Sequence, residues 1–294
     1  MQRAVHWFFC AFVVLAGIAP AAARQSSPTP AMWVIEGGPG TVEILGSVHL
    51  LKPGTKWYDG AVKSALERSD DLVLETVLDA AAYKKIQEIT VARGLYPEGQ
   101  SLKANVPPAV YQHTVEAAQK MGIQEPVIQR FRPWYASVVL ASGAVQSMGF
   151  DSKSGVEQTL TEEAKLRGLK VSGLETAEEQ IMVLAGTDPS VQLSMLEDTM
   201  RQNDDVKQTL DKLTGAWTHG DLKTLERLLV DEVKTNQALY DLVIVKRNDN
   251  WVPKIRALMA KPGHHLLVVG AAHLVGPDSV ILKLEKAGVK VRRQ

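Results

Sequence analysis

The sequence lacks several features that would assign it to a specialised class of protein. Its 294 residues include a single cysteine, Cys10, so it has no intramolecular disulfide and no cysteine-based metal cluster. Lysine plus arginine equals aspartate plus glutamate at 33 each, and this zero net charge argues against a nucleic-acid partner, which usually requires a basic excess. Hydrophobic residues still make up 45% of the chain, enough to bury a sizeable core in roughly one or two domains.

Long apolar runs are also scarce, and the longest lies at the N-terminus. Arg3 precedes the apolar residues 7–18, and Ala23 closes a run of three alanines of the kind found at secretory cleavage sites. This apolar stretch is too short to span a bilayer, which takes roughly 17–25 residues. We predict a signal peptide at residues 1–23, a linker at 24–31 and export to a bacterial periplasm, with no membrane span after cleavage.

The remaining sequence alternates between strand and helix patterns. Apolar runs bounded by turn residues predict strands at 32–36, 41–45, 71–75, 170–174, 265–269 and 289–291. Helical spacing predicts helices at 80–93, 108–121, 133–148, 154–167, 191–213, 222–246 and 251–259. We therefore expect an α/β protein with an α+β tendency. Its single domain, 32–294, should have a central mixed sheet built from N- and C-terminal strands, with a large helical insertion at about 80–247.

One pattern, G-x-x-H-L-x-x-P, occurs twice, at residues 46–53 and 270–277. Each copy directly follows a predicted buried strand. A glycine at the end of a strand permits a close backbone approach, and we expect it to let the following histidine project from the edge of the sheet. The two motifs therefore single out His49 and His273 as candidate functional residues.

Two glutamates occupy equivalent positions in the predicted topology. Glu75 ends the strand at 71–75, and Glu175 follows the strand at 170–174. If the strands are parallel, their carboxyl ends meet at one edge of the sheet, where α/β proteins bind ligands. Imidazole and carboxylate groups suit a divalent Mn, Co or Zn ion, and an open position on that ion would hold a water of lowered pKa. We predict His49, His273 and Glu75 as the metal ligands.

Arg247 and Asn248 form a further candidate pair near the predicted end of a long helix. A guanidinium fork and an amide can hold a substrate carboxylate or an oxyanion. Other interpretations stay open, because His49 could act as a metal-free general base oriented by Glu75, or the histidines could be structural. The sequence contains no G-x-S-x-G, H-E-x-x-H or phosphate-loop motif.

These motifs together resemble the TraB/GumN family. The similarity extends from residue 33 almost to the C-terminus, with the motifs in the family's order. It is carried by WVIEG (33–37), ILGSVHL (44–50), LVLE (72–75), GLETAEEQ (173–180), the Arg-Asn pair (247–248) and LVVGAAHLVGPDSVILKLEKAG (267–288).

The resemblance implies a function, since the Tiki members of this family are described as divalent-metal-dependent proteases whose GxxH histidines are essential. It puts His49 and His273 at the active centre with Glu75 nearby, and it marks Glu175 and the Arg-Asn pair as further family positions. We therefore expect an exported metal-dependent hydrolase acting on a peptide or another small molecule. A more distant likeness to haem-binding ChaN-like and erythromycin-esterase-like proteins leaves two alternatives. One is a non-catalytic binder of metal, haem or peptide, and the other is a metal-free esterase.

Overall fold

A six-stranded mixed sheet forms the centre of the fold, as the sequence predicted. The computed structural model describes residues 29–201 and 206–294, so the predicted signal peptide and most of the predicted linker lie outside the described residues. The order across the sheet is β4-β3-β5-β2-β1-β6. The strands are β1 (Met32–Ile35), β2 (Gly40–Ser47), β3 (Asp71–Leu74), β4 (Lys170–Gly173), β5 (Gly263–Gly270) and β6 (Val291–Arg293).

Four neighbouring strands of the sheet, β4, β3, β5 and β2, run parallel to one another. β5 pairs with both β2 and β3, and β3 pairs with β4, all in parallel. Ser47 at the end of β2 stands opposite Gly270 at the end of β5, and Leu74 stands opposite Gly173. The carboxyl ends of these strands therefore meet at one edge. β1 and β6 complete the sheet in antiparallel pairings, and Gly37 in the β1–β2 turn has the positive φ of 108° that glycine accepts readily.

Helices connect the strands and form most of the middle of the chain. Before β4 they are α1 (Gly60–Arg68), α2 (Ala80–Ile89), α3 (Leu102–Asn105), α4 (Pro108–Lys120), α5 (Glu125–Ile128), α6 (Pro133–Ser147) and α7 (Val156–Leu166). After β4 they are α8 (Ala177–Ala185), α9 (Pro189–Met200), α10 (Val206–Thr218), α11 (Leu222–Glu226), α12 (Gln237–Tyr240), α13 (Lys246–Met259) and α14 (Val280–Lys286). None of the helices in the described ranges is long and apolar enough to cross a membrane.

The helices cover both faces of β5, which explains why its residues 266–269 are all apolar and buried. In β5, Leu266 and Val268 pack in one cluster with residues of α1, α7 and α10. Leu267 and Val269 pack in a second cluster with residues of α13 and α14. The sheet is therefore the middle layer of three, and only its edges are available for a site.

The structure corrects the predicted position of Arg247 and Asn248. They lie in the first turn of α13 and not near the end of a long helix. The predicted break before residue 251 does not occur, because Asn248, Trp251, Ile255 and Leu258 form one buried stripe at helical spacing. That burial maintains the helix through Pro253. The predicted helix at 222–246 is instead divided into shorter α, π and 3₁₀ segments.

Candidate active site at the carboxyl edge of the sheet

The predicted site residues converge around the end of β5. A Cβ atom built on Gly270 would lie 3.1 Å from Oε1 of Glu75, 3.6 Å from Cδ2 of His273 and 3.9 Å from Nε2 of His49. These groups come from three neighbouring parallel strands and their following loops. The GxxH glycine of the second motif therefore leaves space at the point where the functional groups of the site meet.

The first GxxH motif packs against the second. A Cβ atom on Gly46 would lie 3.3 Å from Cα of Ala271 and 3.3 Å from Cδ1 of Leu274. The carbonyl oxygen of Gly46 accepts a hydrogen bond from Nε1 of Trp217 at 2.7 Å. Glycine at position 46 thus allows the ends of β2 and β5, and with them the two histidines, to approach closely.

His273 is a buried and neutral histidine. Its Nδ1 lies 2.6 Å from Oδ1 of Asn248, whose Nδ2 donates to the carbonyl oxygen of Asp278 at 2.7 Å. Because the amide oxygen can only accept, Nδ1 carries the ring proton and Nε2 carries the lone pair. Burial, reinforced by the charge of Arg247, lowers the pKa of His273 to about 3.

Arg247 joins two buried carboxylates. Its Nε donates to Oε1 of Glu175 at 3.1 Å, and its Nη2 donates to Oε2 of Glu75 at 2.6 Å. Its Nη1 lies 3.1 Å from Nε2 of His273, and the guanidinium stands 4.7 Å from the ring centroid of Trp251. This single cation balances much of the negative charge buried at the edge of the sheet.

Glu75 is held as a carboxylate at the centre of the site. Burial by itself would raise the pKa of Glu75, but the charges of Arg247 and of the His49 imidazolium hold that pKa far below its ordinary value. The backbone N–H of Gly270 donates to Oε1 of Glu75 at 2.6 Å. That same oxygen lies 3.9 Å from Nε2 of His273 and faces the space between the histidines.

His49 lies at the open side of the site, with 60% of its side chain exposed. Its Nδ1 lies 2.8 Å from Oε1 of Glu157, in the first turn of α7. The negative charge of Glu157 raises the pKa of His49 to about 9, so the ring is an imidazolium at neutral pH. Sequence reasoning missed Glu157, whose only signal was an acidic residue at the start of a predicted helix.

All six predicted site residues therefore lie at this edge, in three kinds of role. Nε2 of His49 and Oε1 of Glu75 face the space around Gly270, and the ring of His273 borders that space through Cδ2. Glu175 and Arg247 form the adjoining ion pair, in which Nε1 of Trp251 donates to Glu175 at 3.2 Å. Asn248 is completely buried and binds protein groups rather than facing the open cleft.

The donor atoms fit a divalent ion in their chemistry. Two imidazole nitrogens and one carboxylate oxygen are the ligand types that Zn²⁺ and similar borderline ions prefer. Within the described ranges, no three or more such side chains already stand at metal-binding spacing. The lone pair of His273 Nε2 faces Arg247 Nη1, so binding an ion there requires the guanidinium to release that nitrogen.

Two adjacent parallel strands of the mixed sheet each end in a GxxH motif, with a buried Arg–Glu network beside them, and this combination agrees with the family that the sequence comparison identifies. The chain belongs to the TraB/PrgY/gumN family, whose sequence model matches residues 31–293. It is 25% identical to the uncharacterized protein YbaP of Escherichia coli (strain K12), over 85% of this chain and 90% of that protein. No solved structure matches the chain.

Two other relatives span similar shares of the chain. The uncharacterized protein YbaP of Shigella flexneri is 25% identical, over 81% of this chain and 85% of that protein. An uncharacterized protein of Treponema pallidum (strain Nichols) is 21% identical, over 93% of this chain and 88% of that protein. The family relationship thus extends over nearly the whole described fold.

Proposed function

We propose that this protein is an exported metal-dependent hydrolase that cleaves peptide bonds. The observation that carries the proposal is the convergence near Gly270 of Nε2 of His49, the ring of His273 and Oε1 of Glu75. Nε2 of His273 lies 3.9 Å from that same carboxylate oxygen. A divalent ion held by these atoms would act as a Lewis acid and lower the pKa of a coordinated water to near neutrality.

The protonation states of two of the three groups, His273 and Glu75, support this proposal. Imidazole and carboxylate ligands must be deprotonated to bind a metal. His273 and Glu75 already are, because their pKa values are held low in the folded protein. His49 must give up a proton, so we expect metal binding to release a proton and to strengthen as the pH rises toward 9.

The Arg247–Glu175 pair completes the proposed chemistry. Only 13% of the Arg247 side chain and 7% of the Glu175 side chain are exposed, so their charges act in a poorly solvated environment. We assign Arg247 to stabilise the negative charge that develops on the attacked carbonyl oxygen. We assign Glu175 to accept the proton that the attacking water loses and to pass it to the departing amine.

A cleft beside Glu175 offers space for the substrate. It has a volume of about 400 Å³ and lies between α2 and α8. Val77, Ala82 and Ala177 supply apolar surface, and Lys85 and Glu178 carry charge of both signs. This mixture suits a peptide, which presents apolar side chains together with a polar backbone.

One observation favours a second candidate, metal-free hydrolysis. Arg247 contacts Glu75, Glu175 and Nε2 of His273 simultaneously, and it thereby supplies positive charge at the site without an ion. His49 would then be the general base once deprotonated, and activity would rise with pH toward the pKa of His49.

The test measures metal content and peptide hydrolysis in protein purified without an affinity metal. We compare wild type, the double variant His49→Ala/His273→Ala, and a control double variant, His113→Ala/His219→Ala, at histidines outside the site. We expect a near-stoichiometric ion and chelator-sensitive hydrolysis in wild type and control, both lost in the site variant. No bound metal after incubation with Mn²⁺, Co²⁺ or Zn²⁺ would contradict the proposal, and hydrolysis that survives chelation would establish the metal-free candidate. Stoichiometric metal without turnover on any peptide would indicate a binding protein.

Export is tested separately by expressing the full chain in a Gram-negative host and sequencing the mature N-terminus. We expect the protein in the periplasmic fraction, beginning at Arg24. Cytoplasmic protein that retains residue 1 would contradict this part of the proposal.

A further inference from the structure

The start of α7 is docked on the segment that carries His49. The N–H of Val156 donates to the carbonyl oxygen of Val48 at 3.2 Å. A Cβ atom on Gly155 would lie 2.2 Å from the carbonyl oxygen of His49, closer than a real Cβ can approach. Glycine at position 155 therefore lets the first turn of α7 lie directly against the first GxxH loop.

This docking brings the carboxylate of Glu157 between two groups of the loop. Oε1 of Glu157 accepts a hydrogen bond from the hydroxyl of Ser47, the buried last residue of β2. The same oxygen lies 2.8 Å from Nδ1 of His49. Glu157 is thus fixed by the strand on one side and holds the histidine ring on the other.

His49 is far more exposed than His273, so packing holds its ring less tightly. Its side chain is 60% exposed, whereas only 5% of the His273 side chain is exposed. With Nδ1 directed at Glu157, the opposite ring nitrogen, Nε2, faces Gly270. Carboxylates that bind the second nitrogen of a functional histidine orient the ring in this way.

We infer that Glu157, supported by Ser47, is a positioning residue that directs Nε2 of His49 toward Gly270. Its importance for chemistry rests on the proposed function, but its effect on the orientation of His49 does not. Glu157 touches His49 and Ser47 in the structure and acts through the histidine.

The first experiment measures ring orientation and requires neither metal nor activity. In NMR spectra we compare the nuclear Overhauser contact between the His49 ring and Gly270 in wild type, Glu157→Ala, Ser47→Ala and the control Glu162→Gln. Glu162 lies on the same helix and accepts a hydrogen bond from the exposed Gln158. We expect the contact to be lost in Glu157→Ala, weakened in Ser47→Ala and unchanged in the control. An unchanged contact in a folded Glu157→Ala protein would overturn the inference, and if that variant does not fold, Ser47→Ala decides.

The second experiment connects the inference to the proposed site by a double-mutant cycle in Zn²⁺ affinity. Loss of such a partner typically weakens metal binding 10–100-fold. We expect Glu157→Ala to lower affinity by that factor in wild type and to have no effect in a His49→Ala background, because its effect passes through His49. Equal losses in both backgrounds would overturn the inference. If no variant binds Zn²⁺, the proposed function fails while the NMR result still decides the role of Glu157.

Discussion

The two GxxH motifs have the same sequence pattern, and each lies at the carboxyl end of a parallel strand, yet their histidines differ in protonation at neutral pH. His49 is mostly exposed, binds the carboxylate of Glu157 and has a pKa raised to about 9. His273 is buried, binds the amide of Asn248 and has a pKa lowered to about 3. At neutral pH the first ring is charged and the second is not.

The difference shows that the partner of Nδ1 and the burial of the ring determine the protonation of a motif histidine. A carboxylate favours the charged ring, whereas an amide oxygen with little water nearby leaves the ring neutral. Both partners come from helices, Glu157 from α7 and Asn248 from α13. Two copies of one motif thus provide a neutral imidazole and an imidazolium beside the same carboxylate, Glu75.

The largest effect is expected from removing the cation next to His273. Arg247→Met leaves Glu75 and Glu175 buried without their compensating charge. Breaking a buried ion pair in this way typically costs about 3–5 kcal/mol of stability. It also removes a charge that lowers the pKa of His273, so we expect the pKa of His273 to rise toward that of His49. Urea unfolding at pH 7 and NMR titration of His273 measure both effects.

The control for this prediction is Arg292→Met. Arg292 pairs with Glu36 at the surface, where 59% and 61% of the two side chains are exposed. Such pairs contribute about 0–1 kcal/mol. Similar losses of unfolding free energy in the two variants would show that the ion pairs of Arg247 do not stabilise the fold as we expect.

The sheet and the convergence of the site were predictable because both depend on local patterns. Apolar runs marked β2, β3 and β5, and parallel pairing follows from the helical crossovers between strands of such folds. Once the strands are parallel, residues just after them share one edge, which is how His49 and Glu75 could be placed together. The bounds of β5 were missed by two residues at its start and one at its end.

The contacts of those residues were not predictable, because they depend on how helices dock. Glu157 looked like any acid in a first helical turn, and only the close approach of Gly155 brings it to His49. The sequence suggests Asn248 as a substrate-binding amide, but the buried stripe of α13 turns its side chain toward His273. A partner distant in the chain leaves no periodic signal in the sequence.

A smaller loss of stability is expected when the amide that binds His273 is replaced by a carboxylate like the one that binds His49. Asn248→Asp replaces the amide by a carboxylate and loses the hydrogen bond to the carbonyl oxygen of Asp278. We expect a loss of about 1–3 kcal/mol, because a buried carbonyl is left without its donor, and a higher pKa for His273. Denaturant unfolding measures the loss of stability, and NMR titration measures the pKa of His273.

Asn236→Asp is the matched control. Asn236 caps α12 by accepting from the N–H of Leu239 at 3.2 Å, and aspartate caps a helix equally well. Its Nδ2 donates to the hydroxyl of Ser194 at 2.9 Å, and an aspartate oxygen can accept from that same hydroxyl instead. We expect a change within about 0.5 kcal/mol. A pKa of His273 that stays low in a folded Asn248→Asp protein would refute the role given to the partner.

On the acid side, stability should depend on His273. The unfolded chain takes up this proton near pH 6.5, but the folded protein does so only near pH 3. The contribution of His273 to the free energy of unfolding is therefore complete above pH 6.5. It is lost as the pH falls toward 3, by at most about 1.4 kcal/mol for each unit of pH. His273→Gln should flatten the stability profile between pH 4 and 6.5. An equally steep profile in that variant would assign the acid sensitivity to other groups.

The smallest effect is expected on the alkaline side, and it has the opposite sign. His49 binds its proton more tightly in the folded protein, so its contribution to stability is complete below pH 6.5 and is lost as the pH rises through about 9. The contribution is small because the ring is exposed and water screens its charge. Urea unfolding of wild type and His49→Gln from pH 6 to 9.5 should show curves that approach each other as the pH rises. Curves that separate would mean that His49 is neutral in the folded protein, and the contrast between the two motifs would then rest on burial alone.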